Sequence, residues 1–207
     1  MKDNRIKEII SLIPINKDVL DIGCAQNPEI YEALAKKSTK IIGIDIDKKK
    51  TQKMQDKGHR VYVMNAENIK LNYRFDYIVA GEVIEHLSNP GLFIESAKKH
   101  LKNKGKIIIT TPNISSIFLY FLVVFLDKTQ DSTHVYYFDK KNLRVLINRY
   151  NLKIISARYI PPEIKLHGYG LFKIIFLIAT LFANIGFLLN KRLFGSYLLL
   201  ILEKNNE

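Results

Sequence analysis

Five short apolar runs, spaced so that a helix fits between most of them, constrain this chain more than any other feature. They are Val19 to Ile22 ("VLDI"), Ile41 to Ile46 ("IIGIDI"), Val61 to Met64 ("VYVM"), Phe75 to Ala80 ("FDYIVA") and Ile107 to Thr110 ("IIIT"). Runs this continuous predict strands buried on both faces in a parallel sheet. The amphipathic stretches between them supply the covering helices, which is the α/β pattern. After Pro112 the rhythm changes. "DKKNLRVLINRY" predicts a helix capped by Asp139, with Leu143, Leu146, Ile147 and Tyr150 on one face. Leu152 to Tyr159 predicts a sixth strand, stopped by Pro161 and Pro162, and "SYLLLILEK" from Ser196 a seventh.

A chain of 207 residues, 47% hydrophobic and 25% charged, has the size and balance of a single domain, residues 1–207. Its net charge of +12 comes from dispersed lysine, which fits solvated faces better than a nucleic-acid stripe. Cys24 is the only cysteine, so no intrachain disulfide forms and a reduced, cytoplasmic setting is expected. "MKDNRIKEIISLIPI" is interrupted by Lys7 and Glu8 and lacks the unbroken apolar core of a signal peptide.

The chemistry starts at the first strand's exit. "VLDIGCAQNPEI" places Asp21 and Gly23 just before a helix expected to begin near Pro28, a turn suited to close approach of a ligand. The dinucleotide pattern G-x-G-x-x-G fails, because Ala25 and Pro28 stand at two of its three glycine positions. Asp21 would also repel a pyrophosphate, while it suits a ligand carrying an ammonium and a sulfonium. Asp45, ending the second strand, is placed to accept hydrogen bonds from two ribose hydroxyls. Asn65 and Ala66, after the third, are placed to reach an adenine.

In order and spacing, "VLDIGC", "GIDID", "NAEN", "FDYIVAGEVIEHL" and "GKIIITTPN" resemble the successive motifs of class I S-adenosylmethionine-dependent methyltransferases. The nearest flavour is the broad group holding ubiquinone-biosynthesis O-methyltransferases and methyltransferases of cell-surface glycan pathways. The resemblance implies a Rossmann-like, mostly parallel sheet of strand order 3-2-1-4-5-7-6, with strand 7 antiparallel. It implies S-adenosyl-L-methionine as cofactor, held by Asp21, Gly23, Cys24 and Ala25 at the methionine end, Asp45 with Ile46 at the ribose, Asn65 with Ala66 at the adenine, and Glu82. The chain departs from the family where Ala25 and Asn27 replace glycine and Asn65 replaces aspartate. Asn27 is tolerated because asparagine visits the left-handed region, Ala25 provided its φ is negative. Cys24 itself reads as a small buried hydrophobe.

Methyl transfer is an in-line displacement, and a hydroxyl acceptor must also lose its proton. Candidates for that task are Glu82 and His86 in "GEVIEHL" and His134 in "DSTHVYYFD", where the family often contacts its acceptor. Glu82, Glu85 and His86, spaced i, i+3, i+4, share a face if helical, a set able to hold a divalent cation such as Mg²⁺.

Two apolar inserts, residues 113–131 and 163–195, complete the reading. The run Ile117 to Leu126 is too short to span a bilayer. Leu171 to Leu189 nearly has the length, but a single crossing would leave the seventh strand on the wrong side of the membrane. Lys173, Thr180, Asn184 and Lys191 form one polar stripe, with Ala179, Ala183 and Gly186 as a seam for close helix packing. The expectation is a paired lid on the cofactor face that touches a membrane through residues 171–192, peripheral on its inner face, and admits a hydrophobic or lipid-linked acceptor, a quinone precursor or glycan intermediate; the alternative is that the two inserts pack together as a dry subdomain or dimer interface. Two alternatives stand: a non-catalytic S-adenosylmethionine-binding membrane adaptor, and a nucleic-acid methyltransferase. The second lacks an N-P-P-Y or D-P-P-Y tetrapeptide.

Overall fold

The computed structural model describes residues 3–117, 119–120, 131–162 and 181–205. Seven strands form one sheet: β1 (Asp18–Ile22), β2 (Lys40–Asp45), β3 (Val61–Val63), β4 (Phe75–Gly81), β5 (Leu101–Pro112), β6 (Leu152–Ile160) and β7 (Tyr197–Lys204). Their order is β3-β2-β1-β4-β5-β7-β6, as expected, and β7 runs antiparallel to both β5 and β6. Among the described helices that cover it are α1 (Asn4–Ser11), α2 (Pro28–Ala35), α3 (Lys48–Asp56), α4 (Pro90–Lys99) and α5 (Lys140–Asn148). The chain moves outward from β1 through β2 and β3, then returns to place β4 on β1's other side. That reversal opens a crevice beyond the carboxyl ends of β1 and β4, where ligands bind in open α/β sheets.

Strand periodicity divides the core between two faces. Leu20 and Ile22 join Ile42, Ile44, Ile78 and Ile109 under α4 and α5, while Val19, Val79, Ile108 and Leu199 meet Ile6, Ile9, Ile30 and Leu34 on the side of α1 and α2. Asp21 alternates with Leu20 and Ile22 and so falls on the α1 side. Each strong helix start has a local cause. Pro28 sits in the first turn of α2, and Asp139 caps α5 in a reciprocal capping box with Asn142. As predicted, Leu143 and Ile147 are fully buried beneath α5, with Leu146 and Tyr150 packed at the margin.

β5 begins well before Ile107. Leu101 pairs with Phe75, and the register then shifts so that Lys106 pairs with Tyr77. Lys104 with φ 62°, next to Gly105, takes up the irregularity, so the lysine-rich run that hides the strand in the sequence is its bulged, partly wet beginning.

Asn113 ties the exit of β5 to the approach of β7. Its buried side-chain amide donates to the carbonyls of Arg192 (2.7 Å) and Gly195 (2.8 Å), and its N–H to that of Ser196 (3.0 Å). Because Pro112 pairs with Tyr197, residues 181–195 stand at the carboxyl end of β5. Residues 181–189 are helical, and Gly186 lies against the Phe194 ring. Most of the predicted apolar inserts, Phe121 to Gln130 and Glu163 to Thr180, lies outside the described residues. Among the described residues, no helix is long and apolar enough to cross a membrane.

Candidate active site

A cavity of about 760 Å³ occupies the crevice at the carboxyl ends of β1, β2 and β4. Its first wall is the turn after β1. Gly23 has φ +76°, and a Cβ there would stand 2.7 Å from Val83 Cγ2, so both the backbone and the neighbouring loop require glycine. The turn is anchored on β2: the Gly23 N–H donates to the Ile44 carbonyl at 2.8 Å. Asp45, 4% exposed, accepts from Ala25 N–H (3.0 Å) on one carboxylate oxygen and from Asp47 N–H (2.8 Å) on the other. Each oxygen keeps a second lone pair for a ligand hydroxyl. Ile46, 71% exposed, and Met64 give an apolar wall, and Asn65 caps a single 3₁₀ turn at Ala66–Asn68 by accepting from Glu67 N–H at 2.8 Å.

Of the sequence-predicted cofactor residues, Gly23, Asp45, Ile46, Asn65, Ala66 and Glu82 line this cavity. Asp21, Cys24 and Ala25 are not part of its wall. Cys24 is buried with its sulfur against Gly43, and burial, reinforced by Asp21 and Asp45, pushes its thiol pKa up, so it is packing and not a nucleophile. Asn27 lines the cavity with φ −129°, so the left-handed tolerance expected of it is not used. Ala25 has no positive φ either, and its N–H serves Asp45.

Asp21 is 2% exposed, and its Oδ2 has no hydrogen-bond partner. Burial first, then repulsion from Asp45, raises its pKa well above the ordinary carboxyl value, with Arg5 opposing. Arg5 was not singled out in the sequence. It is 2% exposed, its Nη2 pairs with Glu82 at 2.8 Å and reaches Asn27 Oδ1 at 3.4 Å, and its Nε and Nη1 have no acceptor. The available signal was its spacing: Arg5 and Ile9 are one helical turn apart on the buried face of α1.

Glu82, Glu85 and His86 do not share a helical face. Glu82 has φ +57° at the exit of β4, and only Ile84–His86 forms a 3₁₀ turn, so the i, i+3, i+4 geometry is absent. Glu82 turns instead to Arg5, while Glu85 and His86 meet His134. Glu85, His86 and His134 each offer a ligand atom, all within 4.8 Å of one another. Glu85 is 1% exposed with no hydrogen-bond partner on either carboxylate oxygen, and burial with help from Glu82 pushes its pKa up to about 8. Thr111, which acts to lower it, stays outside hydrogen-bonding geometry. The Glu85 carbonyl holds the 131–137 loop in place by accepting from Val135 N–H (2.9 Å) and Tyr136 N–H (3.1 Å).

That loop fixes the His86 tautomer. His86 Nδ1 lies 3.2 Å from the Thr133 carbonyl and 2.9 Å from Thr133 Oγ1, and the Thr133 hydroxyl donates to Asp131 Oδ1 at 2.7 Å. The carbonyl can only accept and the hydroxyl proton is already committed, so Nδ1 carries the hydrogen and Nε2 holds the lone pair. The Asp131 and Thr133 relay was also missed in the sequence, although Asp-x-Thr is a local turn pattern. His134 packs its ring 4.7 Å from that of His86; burial, then His86, lowers its pKa, and its Nδ1 is buried without a partner.

Comparison with known proteins agrees with this layout. A family model described as a methyltransferase domain matches residues 3–157. The ubiquinone biosynthesis O-methyltransferase of Pelagibacter ubique is 31% identical over 104 residues, 47% of this chain and 43% of that protein. The chain thus spans under half the length of the curated relatives it matches first. Among solved structures, a SAM-dependent methyltransferase from Archaeoglobus fulgidus superposes with TM-score 0.68 at 21% identity, over 97% of this chain and 91% of that one. The YcgJ protein of Bacillus subtilis superposes with TM-score 0.66 at 18% identity, over 98% of both chains.

Proposed function

The chain belongs to the methyltransferase family whose model spans residues 3–157, and from that premise we propose that it is an S-adenosylmethionine-dependent O-methyltransferase acting on a hydroxyl of a hydrophobic or lipid-linked small molecule. The observation that carries the reading is the two-ended cavity. Behind the wall at one end lie the buried, orphaned Arg5 and Asp21, Arg5 in contact with the lining residues Glu82 and Asn27, and at the other end stands an imidazole with its lone pair on Nε2.

The residues present fit the cofactor. The unpartnered Arg5 N–H groups match a carboxylate, and the unpartnered Asp21 oxygen an ammonium. Asp45 would hold the ribose hydroxyls, and Ile46, Met64 and Asn65 the adenine. When bound, the cofactor supplies an electrophilic methyl on a sulfonium. Dinucleotides fit poorly, because Asp45, Glu67 and Glu82 would all face a pyrophosphate.

The protein's own part is to align the acceptor, exclude water and move one proton. Val83 and Leu87 offer an apolar bed beside His86. His86 Nε2 takes the acceptor's hydroxyl proton, while Thr133 and Asp131 hold the ring and stabilise the charge it gains. Incubation with methyl-labelled cofactor and total lipid extract, with the labelled product identified by mass, tests this reading. A labelled apolar ether is expected. Cofactor binding by calorimetry without any labelled product favours the adaptor reading instead.

A second reading rests on the orphaned Glu85 carboxylate beside two imidazoles. One carboxylate and two histidines suit zinc, iron(II) or manganese better than the magnesium expected from the sequence. Such a cation would lower the pKa of the acceptor hydroxyl in place of a base. Turnover abolished by a chelator and restored by one of these metals supports it. Turnover indifferent to the chelator rejects it.

A further inference from the structure

We propose that the face formed by helical residues 181–189 and Lys191–Phe194 docks on an anionic lipid bilayer. It requires no methyl transfer, so it stands or falls apart from the enzymatic reading.

Among the described residues, the 181–189 helix packs on the rest of the fold through its Ala183 and Gly186 side. Ala183 is 1% exposed, and Gly186 is buried against Phe194. The outward side presents Leu181 (60% exposed), Phe182 (70%), Ile185 (47%), Leu188 (78%) and Leu189 (83%), and Leu193 follows at 38%. Contiguous apolar exposure of this kind marks an interaction surface. Its C-terminal end is tied to the sheet by Asn113, which donates to the Arg192 and Gly195 carbonyls. Arg192 Nε also reaches Ser115 Oγ at 3.3 Å, in the segment that exposes Ile117 and Tyr120.

Charge selects the occupant. Ile164 to Leu202 contain no aspartate or glutamate, yet carry Lys165, Lys173, Lys191 and Arg192. Lys191 and Arg192, both exposed, follow the most exposed leucines, Leu188 and Leu189, after one intervening residue. A second copy docked on this face would set like charge against like, which costs association. A bilayer meets both features, since leucines enter the acyl boundary while the cations reach anionic headgroups. The face lies at the carboxyl end of β5, the same pole of the sheet as the cavity, where an apolar acceptor would arrive.

Cosedimentation of the whole chain with vesicles of phosphatidylcholine alone, or mixed equally with phosphatidylglycerol, tests the proposal. Binding is expected to the anionic vesicles, at least about tenfold tighter than to the neutral ones. The variant Leu188→Glu/Leu189→Glu alters only exposed positions, so its melting temperature and cofactor binding should match the wild type, while vesicle binding falls at least about tenfold. Lys191→Glu should weaken binding to anionic vesicles alone. Equal binding of wild type and double variant overturns the proposal. So does a wild type that binds neither vesicle but forms a dimer that the double variant dissociates, which would make this face a self-interface.

Discussion

The two ends of the cavity are built on different principles. At the donor end, the cavity-lining acceptor groups are pinned by nearby backbone: Asp45 by Ala25 and Asp47, Asn65 by Glu67, the Gly23 turn by Ile44. At the acceptor end, the side chains hold one another across long stretches of chain, His86 through Thr133 to Asp131, with Glu85 and His134 left partly unsatisfied. The first arrangement follows from strand exits and tight turns. The second exists only once the 131–137 loop has closed on the Ile84–His86 turn.

The sharpest way to break the acceptor end is His86→Ala. Turnover should fall about 100- to 1000-fold with cofactor affinity unchanged, measured by steady-state kinetics beside calorimetry. Thr133→Val keeps the shape but removes the hydroxyl, and should cost about tenfold in kcat with little change in KM. Thr133→Ser, which keeps the hydroxyl, should restore kcat. A loss that Thr133→Ser does not restore would mean that the hydroxyl is not what positions the ring.

The donor end breaks through its backbone. Gly23→Ala should cost about 2–3 kcal/mol in thermal or denaturant unfolding, from the positive φ and the contact with Val83. Pairing it with Val83→Ala should recover only the contact part. Full recovery would mean that the turn does not need its left-handed residue.

Arg5 links the two ends through Glu82. Arg5→Met should weaken cofactor binding about tenfold or more and destabilise the fold, because Glu82 loses its cation. Adding Glu82→Gln should restore stability and not affinity. Restoration of both would reduce Arg5 to a structural counter-ion.

The same contrast explains what could be read from the sequence. The strands themselves and the glycine turn were legible because continuous apolar runs and strand-exit motifs are local signals, and the family resemblance supplied the strand order and β7's reversed direction. The Glu82, Glu85 and His86 set misled, because i, i+3, i+4 spacing converges only on a helix. Here one left-handed residue at Glu82 breaks the period and sends its side chain toward α1. Arg5 and the Asp131 relay carry no motif of their own, and their meaning arises from which elements they meet. His134 was legible as a candidate but not as a neighbour of Glu85, a contact that joins residues far apart in the chain.

Asp21 offers the finest test of whether the donor end is shaped for stability or for a ligand. A buried carboxyl without a full set of partners destabilises the fold that holds it. Its raised pKa means that the folded state binds this proton more tightly than the unfolded state does. The group's penalty is therefore present in full above the folded-state pKa and fades as pH falls toward the ordinary carboxyl range, the reverse of an ion-paired acid. Asp21→Asn removes the charge and nearly keeps the shape, so it should raise stability at neutral pH by about 1 kcal/mol, with the advantage shrinking as the pH is lowered. It should at the same time weaken cofactor binding several-fold, because an amide cannot answer an ammonium as a carboxylate does. Thermal melts across pH and calorimetry on the same variant read the two effects separately. A variant that is both more stable and equally tight-binding would show that Asp21 is not held there for the donor.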